Sequence, residues 1–262
     1  MALRSGLPAT ADVRPADEDQ GIRFVRDGVE IHAHVDHVVD TQLATTLGRG
    51  GVTISMVEHL CAALYAAGID NVTVSVEGPE LPVLDGSAWP WFERIRPRAQ
   101  AAPRRWRVVT DTVEVRRGDS WARLEPADAF ELDVTIRFPH PAIGTQRYRG
   151  PGVGAPFADH LARARTFGFL QDAERLRAAG LARGASLENT VVYDDTGVLN
   201  PGGLRADDEA VRHKAVDALG DAALLGGPLQ GRLVAWCAGH TLHHDLFRTF
   251  LDSGVGGARL AR

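Results

Sequence analysis

The segment VRHKAVDALGD, residues 211–221, places His213, Asp217 and Asp221 at four-residue intervals in a stretch whose other residues are mostly apolar. On an α-helix, side chains four residues apart share a face and lie about 5 to 6 Å apart, so His213 and Asp217 can hold one metal ion from consecutive turns. Histidine and aspartate suit zinc, and a catalytic zinc has three protein ligands with a fourth position open to water. The segment therefore predicts two ligands of a zinc site that needs one more.

A second histidine in a helical pattern supplies a candidate for the third ligand. His59 lies near the start of VEHLCAALYAAGIDN, residues 57–71, and follows Glu58. A zinc-activated water needs a carboxylate base beside it that is not itself a ligand, and Glu58 can fill that role. His240 in GHTL, residues 239–242, falls where a strand gives way to a helix and is a candidate catalytic histidine.

Each of these motifs also has an ordinary structural interpretation when taken alone. His213 and Asp217 can form a surface hydrogen bond. The sequence SMVE, residues 55–58, has the pattern of a capping box, in which the glutamate bonds back to the amide of the first residue of the motif. His240 can equally be a cap or loop histidine.

A rival histidine cluster lies in IHAHVDH, residues 31–37. His32 and His34 are expected on one face of a strand, with His37 three residues further on, and such clusters can bind metals. No ordered base or acid follows nearby, so we interpret the cluster as the polar face of a strand.

The elements that must position these residues follow the same order twice along the chain. We expect strands over residues 22–40 and a helix over residues 54–68, then the strand NVTVSVEG, and a Pro-, Ala- and Arg-rich linker over residues 95–106. The second half again begins with strands. Its later predicted elements are a helix over 169–179, a strand pair over 188–199, a long helix over 207–225, a strand over 231–239 and a helix from 242.

Both halves thus contain a helix with an early histidine, a glycine-containing link and a strand, which indicates an internal duplication. We predict a first α+β domain over residues 1–98, contributing Glu58 and His59, and a second over residues 99–262, contributing the remaining site residues.

Composition narrows the class of protein. The chain has 262 residues, 44% of them hydrophobic, and a net charge of −5, which argues against a nucleic-acid partner. The sequence shows no signal-peptide pattern and no 18-residue apolar run, so we expect a cytoplasmic protein. Cys61 and Cys237 both lie in apolar segments, so we expect a metal site built from histidine and carboxylate side chains.

Long motifs in a fixed order resemble those of one enzyme family, the zinc-dependent UDP-3-O-acyl-N-acetylglucosamine deacetylases of lipid A synthesis, from about residue 2 to residue 247. The motifs are TTLG (45–48), VEHLCAALYAAGIDN (57–71), GPELPVLDGSAWP (78–90), FPHPAIG (138–144), ARTFGF (164–169), GLARGASLEN (180–189), LNPGGLR (199–205), RHKAVDALGD (212–221) and GHTL (239–242). The resemblance implies an α+β fold of two similar domains, each a β-sheet layered with two helices, with the active site in the cleft between them.

The resemblance also implies catalytic roles. The implied zinc ligands are His59, His213 and Asp217. Glu58 is the implied general base. The residues implied to stabilise the oxyanion or to donate and position protons are His240, Asp221, Lys214 and Thr166. The products would be acetate and the free 2-amino sugar.

The implied substrate contacts lie in the second half of the chain. Phe138 would stack on the uracil, and Phe167 would also contact substrate. The implied passage for the fatty acyl chain is formed by Leu170, Leu176, Ala185, Ser186 and Leu187, which would otherwise be interpreted as core. The expected partner is an acylated UDP-sugar bound by a monomer that contacts the inner membrane at most transiently.

Several positions depart from the family pattern. ALRSG, residues 2–6, stands where the family has GLHTG after a further strand, with Arg4 at the histidine position, so we expect that first strand to be absent. Ser120 replaces a lysine that helps hold the nucleotide, Ala185 replaces a glycine of the acyl passage, and His243 replaces an asparagine. These departures bear on nucleotide affinity and acyl-chain length.

Two alternative functions share the same residues. One is a zinc amidohydrolase acting on a different acylated or nucleotide sugar. The other is a non-catalytic sugar-nucleotide binding paralogue, against which the presence of both Glu58 and His240 argues.

Overall fold

A computed structural model describes residues 1–95 and 103–261, with side chains through residue 257. The middle of the predicted linker and the predicted domain boundary at residues 98 and 99 lie outside the described residues, so that boundary stays a prediction. Among the described residues, none of the helices has the length and apolar character needed to cross a membrane.

The described residues form many short strands, with helices between groups of them. The strands are β1 (Thr10–Pro15), β2 (Ile22–Arg26), β3 (Val29–His32), β4 (Val38–Asp40), β5 (Thr46–Arg49), β6 (Val52–Ser55), β7 (Val72–Glu77), β8 (Arg104–Val109), β9 (Val113–Arg117), β10 (Ser120–Glu125), β11 (Glu131–Arg137), β12 (Thr145–Pro151), β13 (Phe167–Phe169), β14 (Val191–Asp194), β15 (Gly197–Val198), β16 (Leu229–Gln230), β17 (Arg232–Trp236) and β18 (Gly256–Ala261). The helices are α1 (Glu58–Ala66), α2 (Trp89–Ile95), α3 (Ala173–Ala178), α4 (Glu209–Ala222) and α5 (His240–Asp252).

The main sheet of the first half has the order β1-β7-β2-β3. Strand β7 alternates buried Val72, Val74 and Val76 with more exposed residues, as expected for a strand with one face on the core. Strand β1 is an edge strand paired antiparallel to β7, and the sequence analysis missed it because most of its residues are exposed. A small sheet of order β4-β5-β6 leads into α1.

The main sheet of the second half has the order β12-β11-β17-β10-β9. Helix α4 packs on β11 and β12, and α5 packs on β9 and β10. Two further small sheets among the described residues are β16-β8-β18 and β13-β14-β15, the latter in the segment between β12 and α4.

The predicted repetition of the chain is visible in the strand pairing. In the first half, α1 is followed by β7, which pairs in parallel with β2. In the second half, α4 is followed, after the short β16, by β17, which pairs in parallel with β11. The prediction of an α+β fold with two sheet-and-helix halves is confirmed.

The two halves meet where α1 packs on α4, and buried residues from both halves form one continuous core. Gly220 of α4 lies so close to α1 that a Cβ there would overlap the carbonyl oxygen of Glu58. This contact brings the helices that carry the predicted metal ligands together.

Several predicted boundaries were wrong by a few residues. The first helix begins at Glu58 rather than residue 54, because residues 52–55 form β6 and the Ser55 amide donates to Pro79 O at 3.1 Å. The helix predicted over 169–179 is limited to α3, preceded by β13 and a 3-10 turn at Leu170–Asp172. The last predicted helix begins at His240 rather than residue 242.

Candidate active site

Helices α1 and α4 bring the three predicted metal ligands together in a buried cluster. The Asp217 Oδ1 atom lies 3.4 Å from His213 Nε2 and 3.7 Å from His59 Nε2. Ligand atoms about 2.0 to 2.2 Å from a tetrahedral zinc are separated by about 3.3 to 3.6 Å, so these spacings match one shared ion. His59, His213 and Asp217 are each at most 4% exposed. The donor set and its geometry therefore fit a zinc ion.

The surroundings of His213 and Asp217 favour the protonation states that a metal ligand needs. Burial lowers the pKa of His213 to about 4, so its imidazole is neutral. Its Nδ1 lies 3.3 Å from the carbonyl oxygen of Ala164 and donates to it, which leaves Nε2 directed at the other ligands. Although burial favours the neutral acid, neighbouring groups that include the Lys214 cation hold the pKa of Asp217 well below its usual value. Lys214 Nζ donates to Asp217 Oδ2 at 2.8 Å.

Glu58 is buried beside the ligand cluster. Its Oε2 accepts a hydrogen bond from the Thr45 amide at 3.1 Å. The residue before α1 is Val57, and its side chain makes no capping bond, so the capping-box interpretation of SMVE was wrong. Burial raises the pKa of the Glu58 carboxyl. A carboxylate with a raised pKa accepts a proton more readily, as a general base must.

His240 and Asp221, both predicted to act in proton transfer, form a buried hydrogen-bonded pair. His240 is the first residue of α5, and its Nδ1 donates to Asp221 Oδ2 at 2.8 Å. Burial alone would favour the neutral imidazole, but the adjacent Asp221 carboxylate raises the pKa of His240 to about 9. His240 is therefore a buried cation at neutral pH and can act as a proton donor.

Three residues that the sequence analysis gave no role surround the same aspartate. Asp221 Oδ1 accepts from the Thr45 hydroxyl at 2.6 Å and lies 3.2 Å from His244 Nε2, and Asp221 Oδ2 accepts from His243 Nδ1 at 2.8 Å. The sequence pattern that could have revealed His243 and His244 is their spacing from His240, since residues three and four apart share a helix face. His243 was noted only as a departure from the family pattern.

Asp221, His240 and His243 also meet a simple spacing criterion for a metal site. Their 2.8 Å nitrogen to oxygen distances are those of charge-assisted hydrogen bonds. Burial lowers the pKa of His243, so this imidazole is neutral and serves as a donor to Asp221. We assign the group as a hydrogen-bond network.

The predicted aromatic contacts lie beside the metal ligands. The ring of Phe167 is 6.1 Å from the ring of His213, and Lys214 Nζ is 5.7 Å from the Phe167 ring centre. Phe138 packs edge to face on Phe167 at 5.5 Å. The Thr166 amide donates to Gly86 O at 2.8 Å, which fixes the start of this segment.

A buried ion pair that the sequence analysis missed anchors the segment before Thr166. Glu209, the first residue of α4, accepts from the Arg165 amide at 2.9 Å, from Arg165 Nε at 2.9 Å and from the Arg205 amide at 2.7 Å. This carboxylate ties the ARTFGF strand to the helix that carries His213 and Asp217.

The residues predicted for an acyl passage lie around β13 to β15. Leu170 and Leu187 are 50% and 43% exposed, Ser186 is exposed, and Leu176 and Ala185 are half-buried. These five residues therefore lie outside the buried core. Leu170 lines a surface cavity of about 520 Å³ together with Phe169 and Tyr193.

The rival histidine cluster of His32, His34 and His37 is separate from the cluster of His59, His213 and Asp217. Strand β3 ends at His32, and His34 and His37 belong to a following 3-10 turn and its cap, so the prediction that His32 and His34 share a strand face was wrong. His34 and His32 line a cavity of about 280 Å³ near Tyr65, towards the opposite end of α1 from His59. His32 lies 3.4 Å from Glu30, and His34 lies 3.1 Å from Asp36.

Arg4 and Ser120, two of the positions that depart from the family pattern, each have specific partners in the fold. Arg4 donates from Nη1 to Ser55 Oγ at 2.9 Å, three residues before Glu58. Ser120 begins β10 and pairs with Arg117 of β9.

Two sheet-and-helix halves meet at a buried cluster of two histidines and one aspartate, with a buried carboxylate and a charged histidine beside it. This arrangement is typical of metal-dependent hydrolases. Residues 1–252 match the model of the family described as LpxC: UDP-3-O-acyl N-acetylglycosamine deacetylase. The chain therefore belongs to the UDP-3-O-acyl-N-acetylglucosamine deacetylase family, and it is an enzyme of the deacetylase class.

Curated relatives agree with this assignment and confirm the predicted resemblance. The UDP-3-O-acyl-N-acetylglucosamine deacetylase of Anaeromyxobacter sp. (strain Fw109-5) is 48% identical over 256 residues, which cover 96% of this chain and 84% of the relative. The enzyme of the same name from Myxococcus xanthus is 48% identical over 259 residues, covering 96% and 82%. That from Phenylobacterium zucineum is 49% identical over 257 residues, covering 95% and 88%.

Proposed function

We propose that this protein hydrolyses the N-acetyl group of UDP-3-O-acyl-N-acetylglucosamine in lipid A biosynthesis, with zinc held by His59, His213 and Asp217. The convergence of these three buried ligands next to Glu58 and a protonated His240 is the observation that carries the proposal. When bound, zinc would supply Lewis acidity, which polarises the acetamide carbonyl and lowers the pKa of water at the site.

The chain's own residues perform the proton transfers. Glu58 accepts a proton from the attacking water as the water oxygen bonds to the acetamide carbon. His240 donates a hydrogen bond to the oxygen that becomes negative, and it gives its proton to the nitrogen as the carbon–nitrogen bond breaks. Lys214 and Thr166 add positive charge and hydrogen bonding around that oxygen, which stabilises developing charge. The products are acetate and the 2-amino sugar.

Asp221 acts on His240 rather than on the substrate. Its carboxylate fixes the Nδ1–H tautomer and keeps the imidazole charged. The Nε2–H then carries the proton that is delivered to the reaction.

The proposed substrate contacts lie mainly in the segment between β12 and α4. We assign Phe138 and Phe167 to the nucleotide and sugar. The Phe167 ring lies beside His213, and the Phe138 ring packs on Phe167. The acyl chain would run along Leu170, Leu176, Ala185, Ser186 and Leu187. The exposure of two of these leucines supports the assignment, because an apolar chain would cover them.

The proposal also covers the location, the oligomeric state and the domain division of the protein. We propose that the enzyme is a cytoplasmic monomer made of domains 1–98 and 99–262, with at most transient contact with the inner membrane when it takes up the acylated substrate.

Two substrates test the proposal. Purified protein loaded with zinc should release acetate from UDP-3-O-acyl-N-acetylglucosamine and much less from UDP-N-acetylglucosamine, which has no acyl chain for the passage. Equal turnover of both would favour an amidohydrolase of different specificity. Zinc binding with no acetate from either would favour a non-catalytic binding protein.

A further inference from the structure

Thr45 is buried between the two groups that the proposed reaction uses for proton transfer. It directly precedes β5, and it has no solvent exposure. Its amide donates to Glu58 Oε2 at 3.1 Å, and its hydroxyl donates to Asp221 Oδ1 at 2.6 Å. One residue therefore bonds both to the base on α1 and to the aspartate on α4 that orients the acid.

The direction of each bond follows from counting protons. A hydroxyl has one proton to donate, and the carboxylate can only accept, so the Thr45 proton goes to Asp221. The Thr45 oxygen can then accept from His244 Nε2, 2.9 Å away. His240 Nδ1 is 3.2 Å from the Thr45 oxygen but 2.8 Å from Asp221 Oδ2, so its proton goes to the aspartate.

These bonds hold the Asp221 carboxylate at both oxygens. Oδ1 is held by Thr45, and Oδ2 is held by His240 and His243. A carboxylate restrained at both ends cannot rotate without breaking a charge-assisted bond, so the orientation of the His240 ring depends on Thr45 as well as on Asp221.

We propose that Thr45 is a positioning residue that fixes Glu58 and His240 relative to each other, and this inference rests on the deacetylase function proposed above. In amide hydrolysis the base and the acid act on one tetrahedral carbon, so a small error in their separation slows the reaction. The backbone of Thr45 sets the base, its side chain sets the acid through Asp221, and Thr45 itself need not touch the substrate.

The test compares two substitutions at this position. Thr45→Val keeps the shape of the side chain and the amide bond to Glu58 but removes the hydroxyl. Thr45→Ser keeps the hydroxyl and removes only a methyl group. A hydrogen bond to a charged group lost from the transition state lowers kcat by about 10- to 100-fold. We expect that loss for Thr45→Val with little change in KM, and we expect Thr45→Ser to restore most of kcat.

Thr46→Val is the matched control, because the Thr46 hydroxyl bonds to Ser55 Oγ at 2.8 Å and not to Asp221. Its kcat should stay much closer to the parent value than that of Thr45→Val. Zinc content and circular dichroism of each variant separate a positioning effect from a folding defect. If Thr45→Val does not fold, Thr45→Ala takes its place against Thr45→Ser.

The outcomes distinguish this inference from the proposed function. A parent enzyme that releases acetate while Thr45→Val and Thr45→Ala keep the parent kcat would overturn the role of Thr45 and leave the function intact. Equal losses in the valine, alanine and serine variants would also overturn it, because the hydroxyl would then not be the cause. A parent protein that releases no acetate would instead remove the proposed function on which the inference rests.

Discussion

Gly220 of α4 lies against the main chain of Glu58 in α1, with no room for a side chain between them. Any Cβ at this position would overlap the Glu58 carbonyl oxygen. The glycine thereby allows the approach of the two helices that carry His59 and Asp217. The spacing between the predicted metal ligands His59 on α1 and Asp217 on α4 thus depends on a residue that has no side chain.

Gly220→Ala should separate the two helices and weaken the metal site. Overpacking a buried contact costs about 1 to 3 kcal/mol, and backbone atoms cannot move aside as a flexible side chain does. We expect a lower affinity for zinc and about 5- to 150-fold lower turnover at limiting zinc, since about 1.4 kcal/mol corresponds to a factor of ten. Zinc titration with a competing chelator measures the affinity. Gly202→Ala is the control, because Gly202 is exposed and a Cβ there meets no neighbour; equal zinc affinity in both variants would contradict the argument.

The activity should fall as pH rises through about 9. Burial would lower the pKa of His240, but Asp221, with smaller contributions from Asp217 and Glu58, raises it to about 9. The acid role needs the protonated ring, so it is fulfilled below that pH and lost above it. The same raised pKa contributes stability that is fully present below about pH 6.5 and is lost as pH rises through about 9.

The pH dependence of kcat/KM for the parent enzyme and for Asp221→Asn checks this assignment. Removing the carboxylate should move the basic limb to lower pH, because the charged imidazole loses its main stabilising partner. A basic limb that stays in place in Asp221→Asn would show that another group produces it.

Glu209→Ala should destabilise the fold by about 3 to 5 kcal/mol, because it leaves Arg165 as a buried cation without its partner. Chemical denaturation measures the free energy of unfolding. Glu93→Ala is the control: Glu93 is exposed on α2, and its replacement should change that free energy by no more than about 0.5 kcal/mol. Similar losses in the two variants would rule out the ion pair as the cause.

The Glu209 carboxylate should also make the stability of the fold depend on pH in the acidic range. Burial favours the neutral form of Glu209, but the hydrogen bonds from Arg165 hold the pKa of Glu209 below its usual value. Its contribution is therefore present above the unfolded-state pKa and is lost as pH falls through the lowered folded-state pKa. The parent protein should lose more stability than Glu209→Ala between pH 5 and pH 3.

Local periodicity predicted that His213 and Asp217 lie together but could not predict the network around Asp221. His213 and Asp217 are one helical turn apart, so their shared face follows from spacing alone. His59 was found because its helix repeats the order of the second half. The bond from Thr45 to Asp221 spans 176 residues and that to His244 spans 199 residues, and no local pattern reports contacts of that separation.

The capping-box interpretation of Glu58 was wrong for a similar reason, namely a contact between residues far apart in the sequence. SMVE has the local pattern of a capping box, but the Ser55 amide already donates to Pro79, a residue from the loop after β7. The tertiary contact extends β6 to Ser55, and the Glu58 carboxylate accepts from the Thr45 amide instead of the Ser55 amide.

The central claim is that buried Glu58 activates water next to a zinc ion held by His59, His213 and Asp217. The most direct measurement is zinc content together with acetate release from UDP-3-O-acyl-N-acetylglucosamine, for the parent enzyme and for Glu58→Gln. Loss of a general base lowers kcat by about 10²- to 10⁴-fold. The account predicts one zinc per chain in both proteins and that loss in the variant; a parent that binds zinc without releasing acetate, or a Glu58→Gln variant with the parent's kcat, would contradict it.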